Sequence, residues 1–224
     1  GIPALVEKPA ARTLQEVEAL AALIRERGTL VSMAHNVLYA AGLGDLWRAV
    51  PSPTRVVFVA RVSPTAPSAL RTWHAEGMFQ SLYHAVAMVT RAVGGGEGAA
   101  VAAQHQGASR PELLRLVARF GDATAEFVLD YRGAGDELSL TLDDAAGRSA
   151  QWRRSGPQVT LAVDGAAPRP VERRGNEIAE MVADFARAAA SGAPAPVPIE
   201  TGLDVMRTTN NLIAALERAG APFS

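Results

Sequence analysis

The stretch Ala4-Leu5-Val6-Glu7-Lys8-Pro9 decides how this chain is read. An apolar run stopped by a proline reads as a buried strand whose last residues emerge at the edge of its sheet. Ligands of open α/β sheets gather outside such carboxyl ends. Lys8 is the only lysine among 22 basic residues. The arginine bias, with abundant Ala, Gly and Pro, is a codon effect before it is chemistry.

The residues after Pro9 extend this reading. Thr13-Leu14-Gln15-Glu16 is a capping box, in which the hydroxyl and the carboxylate each satisfy an orphan backbone N–H. Val17, Leu20 and Ile24 follow at helical spacing beside Ala21, and Gly28 supplies a left-handed stop. Thr29 to Ala34 is a second apolar strand. Strand, helix and strand at this length imply two parallel strands joined by a right-handed crossover. Lys8 and His35-Asn36 then emerge at one edge of one sheet. One crossover cannot make a stable nucleotide-binding domain, so it reads as the last unit of a doubly wound sheet. The chain opens Gly-Ile-Pro and enters a buried strand at once, whereas termini are usually surface segments. Earlier strands are therefore expected upstream.

Further along, a loop from Tyr39 to Pro53, with room for a short helix at Asp45–Ala49, leads into a strand at 55–62. The stretch 63–68 is loop, and a helix is expected from about Gly77 to Val93. Met78, Leu82, Val86, Val89 and Val93 form its apolar stripe, with Gln80, His84 and Ala87 on a neighbouring one. Strands follow at 99–105, 123–131, 137–142, 149–154 and 159–163, those at 137–142 and 159–163 alternating polar and apolar residues, and a short helix is placed at about 109–120. Such alternation argues for an antiparallel sheet covered on one face, the other being solvated or a partner surface. Asn176 caps a helix to about Ala190 that buries Ile178, Met181, Val182 and Phe185. Ser191 to Pro198 is a linker too proline-rich for helix. Thr201 caps a final helix to about Ala219, with Leu203, Met206, Ile213 and Leu216 inward. The expected fold is an α/β remnant at 1–36 followed by an α+β domain at 37–224. That domain is built on a large, mostly antiparallel open sheet, and its final helix (about 201–219) is able to pack back on the first part.

Composition narrows function. At net charge −1 nothing suggests a nucleic-acid footprint or an electrostatic membrane anchor. Without cysteine, disulfides and thiolate metal sites are excluded. No apolar run approaches the roughly 18 residues of a membrane span, and no signal-peptide pattern opens the chain, so a cytoplasmic location is the default. No clustered metal-ligand set occurs. Gly94, Gly96 and Ala99 fit a dinucleotide fingerprint but follow a helix and precede a strand, the reverse of its context. Arg153, Arg154, Arg173 and Arg174 offer an anion patch as one reading, with sheet-edge charges against aggregation the preferred one.

Glu7-Lys8-Pro9, the Ala34-His35-Asn36 strand end, the His84-bearing helix, the run of strands and the Pro198-Ile199-Glu200-Thr201-Gly202-Leu203 entry to the last helix resemble the Gfo/Idh/MocA (glucose–fructose oxidoreductase/inositol dehydrogenase) family along the whole chain. The resemblance implies an NAD(P)-dependent oxidoreductase that transfers hydride between nicotinamide and a hydroxyl or carbonyl of a sugar, cyclitol or related polyol. It implies Lys8 and His84 as catalytic residues. Lys8 would orient and polarise the reacting oxygen, and His84 would act as general base. Gln80, Asn36 and Tyr39 become substrate contacts, and Glu7, Lys8, Pro9 and His35 line the cofactor edge. NAD or NADP is the implied cofactor, and homo-oligomerisation through the open sheet face the implied assembly. The sequence departs from the family's Gly-Gly-x-x-x-Asp-x-x-x-His pattern, because Gln80 holds the aspartate position and the glycine pair is gone. Glutamine cannot stabilise an imidazolium as a carboxylate does. A non-redox relative (a cofactor-free isomerase, lyase or binding protein) or an inactive oligomerisation subunit is the alternative.

Overall fold

The structure is a computed structural model that describes residues 1–61, 75–107, 112–132, 136–172 and 175–221, the side chains of 75–81 excepted. Strand β1 (Ala4–Glu7) pairs in parallel with β2 (Val31–Ala34), and α1 (Leu14–Arg27) makes the crossover. Both capping-box bonds form, Glu16 N–H donating to Thr13 Oγ1 at 3.3 Å and Thr13 N–H to Glu16 Oε2 at 2.9 Å. Gly28 adopts φ 59° and closes the helix. Lys8–Pro9 is a cis peptide.

A short 3-10 helix (Asn36–Tyr39) and α2 (Leu43–Ala49) lead to β3 (Arg55–Arg61), and α3 spans Ala75–Ala92. Six strands follow: β4 (Ala99–Gln106), β5 (Leu113–Phe120), β6 (Ala123–Asp130), β7 (Glu137–Asp143), β8 (Ser149–Ser155) and β9 (Gln158–Val163). After the two-residue β10 (Arg169–Pro170) come α4 (Glu177–Ser191) and α5 (Ile199–Arg218). The large sheet runs β10-β9-β8-β7-β3-β6-β5-β4, with β3 parallel to β6 and every other pair antiparallel. The expected architecture, a crossover plus a large, mostly antiparallel sheet with helices on one face, is what the chain adopts. Phe58, Phe127, Leu116, Leu140 and Trp152 lie in one register row on the covered face and are buried, with α2 over β8, α3 over β3 and α5 over β4 and β5. Leu82, Val86 and Val89 of the α3 stripe are fully buried and Val93 partly, while Met78 lies outside the described side chains.

Several expectations fail. The helix placed at 109–120 is strand β5 from Leu113 onward, because Leu114, Leu116, Ala118 and Phe120 alternate inward between β4 and β6. The proline start signal at 111 masked that period, and residues 108–111 lie outside the described set. Helix α5 starts at Ile199 behind Pro198, not at Thr201. Its fully buried face is Ile199, Val205, Met206, Leu212 and Leu216, leaving Leu203 and Ile213 half-buried. On α4, Ile178 and Val182 are exposed (54% and 47%) while Met181 is buried, so the inward face is narrower than its apolar residues suggest. The 191–198 linker is also structural: Met33 N–H donates to Val197 O at 2.7 Å and Ser32 bridges Pro198, which covers the outer edge of β2. Helix α5 packs on β2, α1 and α3 together. Gly202 makes the β2 contact possible, since a Cβ there would sit 3.1 Å from Met33 Cγ.

Candidate active site

Parallel pairing sets Glu7 opposite Ala34, so Lys8 and His35 leave the sheet side by side at its carboxyl edge. Helix α3 meets them with Tyr83 and His84. The Lys8 ammonium lies 5.9 Å from the Tyr83 ring centroid. His35 stacks on the same ring, with centroids 5.4 Å apart and planes 9° from parallel. The Tyr83 hydroxyl donates to Gly202 O at 3.3 Å, which ties α3 to α5 behind the site. Tyr83 thus joins the strand edge to the helix that carries His84.

Burial dominates the electrostatics. His35 is completely buried, and its basicity falls to about 3, first through desolvation and then through His84 and Lys8. His84 falls to about 4 through desolvation, then Lys8 and Arg154. Burial also lowers the basicity of Lys8, against the opposing pull of Glu7. Both imidazoles are therefore neutral at neutral pH and able to accept a proton or a hydrogen bond. Among the described residues, neither nitrogen of His35, nor Nδ1 of His84, has a hydrogen-bond partner. A buried polar atom left unpaired costs about 1–3 kcal/mol, so these nitrogens suit a ligand that brings its own polar atoms.

The other expected site residues are dispersed around this centre. Glu7 is exposed and accepts the Lys8 backbone N–H at 3.3 Å. Pro9 and Asn36 are half-buried at the same edge. The Tyr39 hydroxyl donates to Asp184 on α4 at 3.1 Å, and burial together with that carboxylate raises its pKa. Gln80 lies one turn before His84 on α3, and its side chain is outside the described set. Sequence reasoning missed Tyr83 and misplaced Arg154. Strand β8 is interior, flanked by β7 and β9, so Arg153 and Arg154 are not edge charges, and 173–174 lie outside the described residues. The alternation Ala150, Trp152, Arg154 held the signal, because it puts Arg154 on the covered face. Among the described residues no group of His, Asp or Glu side chains could hold a metal, and no helix is long and apolar enough to cross a membrane. Gly94–Gly96 fall between α3 and β4, confirming the wrong context for a phosphate cradle.

No protein-family model and no curated protein sequence matches the chain. Solved structures do. UDP-N-acetylglucosamine 3-dehydrogenase GnnA from Acidithiobacillus ferrooxidans superposes with a TM-score of 0.78 at 17% identity, over 98% of this chain and 72% of its own. The dehydrogenase MviM from Clostridium difficile gives 0.75 at 8% identity, over 96% and 71%. GenD2 from gentamicin A biosynthesis, solved with NAD, gives 0.66 at 17% identity, over 96% and 69%. The fold is that of the Gfo/Idh/MocA-type dehydrogenases. At these identities the likeness speaks for the fold, and it covers both the crossover and the large sheet of the Gfo/Idh/MocA architecture.

Proposed function

We propose that this chain carries the substrate side of an NAD(P)-dependent oxidoreductase of the Gfo/Idh/MocA type, acting on a hydroxyl or carbonyl of a sugar, cyclitol or related polyol. The carrying observation is that Lys8 and His35 meet the Tyr83 ring beside His84, within a dehydrogenase fold. Lys8 can orient and polarise the reacting oxygen, with its basicity already lowered by burial. His84, neutral at working pH, can take the hydroxyl proton. Asn36 borders the same pocket edge, whereas Tyr39 contributes chiefly through its tether to α4.

The residues present suit part of a nicotinamide dinucleotide. Glu7, Lys8, Pro9 and His35 would border the nicotinamide end, and the orphaned His35 nitrogens are fitted to meet a polar group there. No strand, G-x-G-x-x-G and helix unit occurs in the sequence to cradle the phosphates. When bound, the cofactor supplies the hydride acceptor or donor. The open face of the large sheet, with half-buried Val57, Val59, Val117 and Val128 between charged rows, would pair with a second copy of the chain.

One observation favours a non-redox relative. Among the described residues His84 Nδ1 has no partner, and glutamine stands where the family pattern has its aspartate, so an imidazolium would be poorly stabilised. Titrating NADH and NADPH into the natural full-length gene product, followed by nicotinamide fluorescence, separates the two. Saturable binding supports the oxidoreductase, and no response favours the relative. Lys8→Ala should lower turnover by about 10²–10⁴-fold, and near-normal activity would refute the site assignment.

A further inference from the structure

Arg154 is out of character with its position. Its register neighbours on the covered face of the large sheet, Val159, Leu138 and, one strand on, Ala60, are apolar, and Trp152 two residues earlier is fully buried. Arginine seldom occupies such a position unless paired. The Arg154 side chain keeps 30% of its surface exposed, and its ion pair, to Glu177 at the start of α4, is long at 3.6 Å. Among the described residues its guanidinium donates no hydrogen bond. Its register row runs through Leu138 to Ala60 of β3, the strand on which the His84-bearing α3 packs, so Arg154 shares the covered face with that helix, and its charge acts on His84 after that of Lys8.

We infer that Arg154 receives an anionic group, a carboxylate or a phosphate, carried by the ligand whose reacting hydroxyl faces His84. This rests on the oxidoreductase-type pocket proposed above and narrows its substrate class to acidic or phosphorylated sugars. A guanidinium offers five donors in a planar fork that matches either oxyanion in bidentate fashion. A pair as long as that to Glu177 leaves most of this fork unspent. The sequence also carries glutamine at the position of the family's pocket aspartate, so Lys8 and Arg154 face His84 without that carboxylate to balance them. An oxyanion from the ligand supplies the balance, and a neutral sugar does not.

The test uses the full chain without cofactor and three probes, D-glucose, D-glucuronate and D-glucose 6-phosphate, with affinities from ligand-observed NMR at low salt. At least one anionic sugar should bind roughly tenfold or more tighter than glucose, the size expected of charge-assisted hydrogen bonds. A preference for glucuronate identifies a carboxylate, and a preference for the 6-phosphate a phosphate. The preference should shrink as salt rises. Arg154→Gln should reduce the anionic sugar to the level of glucose, Arg154→Lys should keep part of the preference, and Glu177→Gln should strengthen it. If Arg154→Gln fails to fold, the lysine and Glu177→Gln variants decide. Equal binding of all three sugars, or a preference that survives Arg154→Gln, overturns the assignment while leaving the pocket standing. No binding of any sugar overturns the pocket along with it. A loss of thermal stability in Arg154→Gln with unchanged anion preference would show that Arg154 only fastens α4.

Discussion

In the small sheet both strands are four residues long, and β2 is buried at every position. In the large sheet β3 to β9 run six to eight residues, and most alternate buried and exposed positions. The contrast follows from cover. Parallel crossover strands sit between layers and are apolar throughout, whereas an open antiparallel sheet needs only one apolar face. β1 is half-buried at three positions and exposed at Glu7, because among the described residues no strand covers its outer edge, while that of β2 is covered by Val197 and Pro198. The large sheet therefore holds the core, and the small one contributes the edge where Lys8 and His35 emerge. Their meeting line, drawn by α5 and Tyr83, is where the candidate chemistry lies.

That division can be broken from the core outward. Trp152→Ala removes a fully buried indole and its 2.8 Å hydrogen bond to Ala41 O, and should cost about 3–5 kcal/mol in denaturant unfolding. A cost below 1 kcal/mol would mean that the large sheet is not the source of stability. Gly202→Val should cost about 1–3 kcal/mol, since the new side chain meets the buried Met33 thioether at 3.1–3.2 Å. It should also weaken ligand binding by shifting the carbonyl that holds Tyr83, and unaltered binding in the folded variant would separate the site from α5.

Acid sharpens the comparison at the site itself. His35 and His84 are less basic folded than the ordinary value of 6.5, so the unfolded chain takes up protons first as pH falls. Their contribution to stability is complete above about pH 6.5 and is lost as pH falls towards about 4 for His84 and about 3 for His35. Each histidine contributes a slope of up to about 1.4 kcal/mol per pH unit within its window. His35→Phe keeps the stack on Tyr83 and removes the orphaned nitrogens. It should flatten part of that slope and raise stability at pH 5 by roughly 2 kcal/mol, while weakening ligand binding. An unchanged slope in urea unfolding across pH 4–7 would contradict the burial argument. The smallest effect is Thr13→Ala, about 1 kcal/mol. Hydrogen exchange should show it as faster opening of α1 with the large sheet still protected, and uniform loss of protection would mean that the two sheets unfold as one.

The crossover was legible because its signals are local. A capping box, a glycine stop and two apolar runs fix β1, α1 and β2 without tertiary information, and the side-by-side exit of Lys8 and His35 follows from pairing alone. Strand β5 was misread because Pro111-Glu112 imitates a helix start, while the period-2 pattern of Leu114, Leu116 and Ala118 needed β4 and β6 beside it to prevail. Ile178 and Val182 were placed inside because spacing gives a helix its apolar stripe but not the width of its contact. Lys8 and His84 stood out by family pattern. Tyr83 did not, since a tyrosine beside a histidine has no meaning until a strand edge and Gly202 arrive from far along the chain. Arg154 was visible in the alternation of β8 but was assigned to an edge that only the strand order could rule out.

The seal on β2 also sets a schedule. Ser32 and Val197 are 165 residues apart, and the Glu18–Arg207 ion pair spans 189. Contacts of such separation form late, because the loop must close before they repay its entropy. During synthesis at about 5–20 residues per second, the crossover waits on the order of ten seconds or more for its covering strand to leave the ribosome. Until then the apolar face of β2 is open to whatever is nearby, so the segment that decides the fold is among the last to be secured, and a chaperone is most needed at the crossover, long before Val197 follows it off the ribosome.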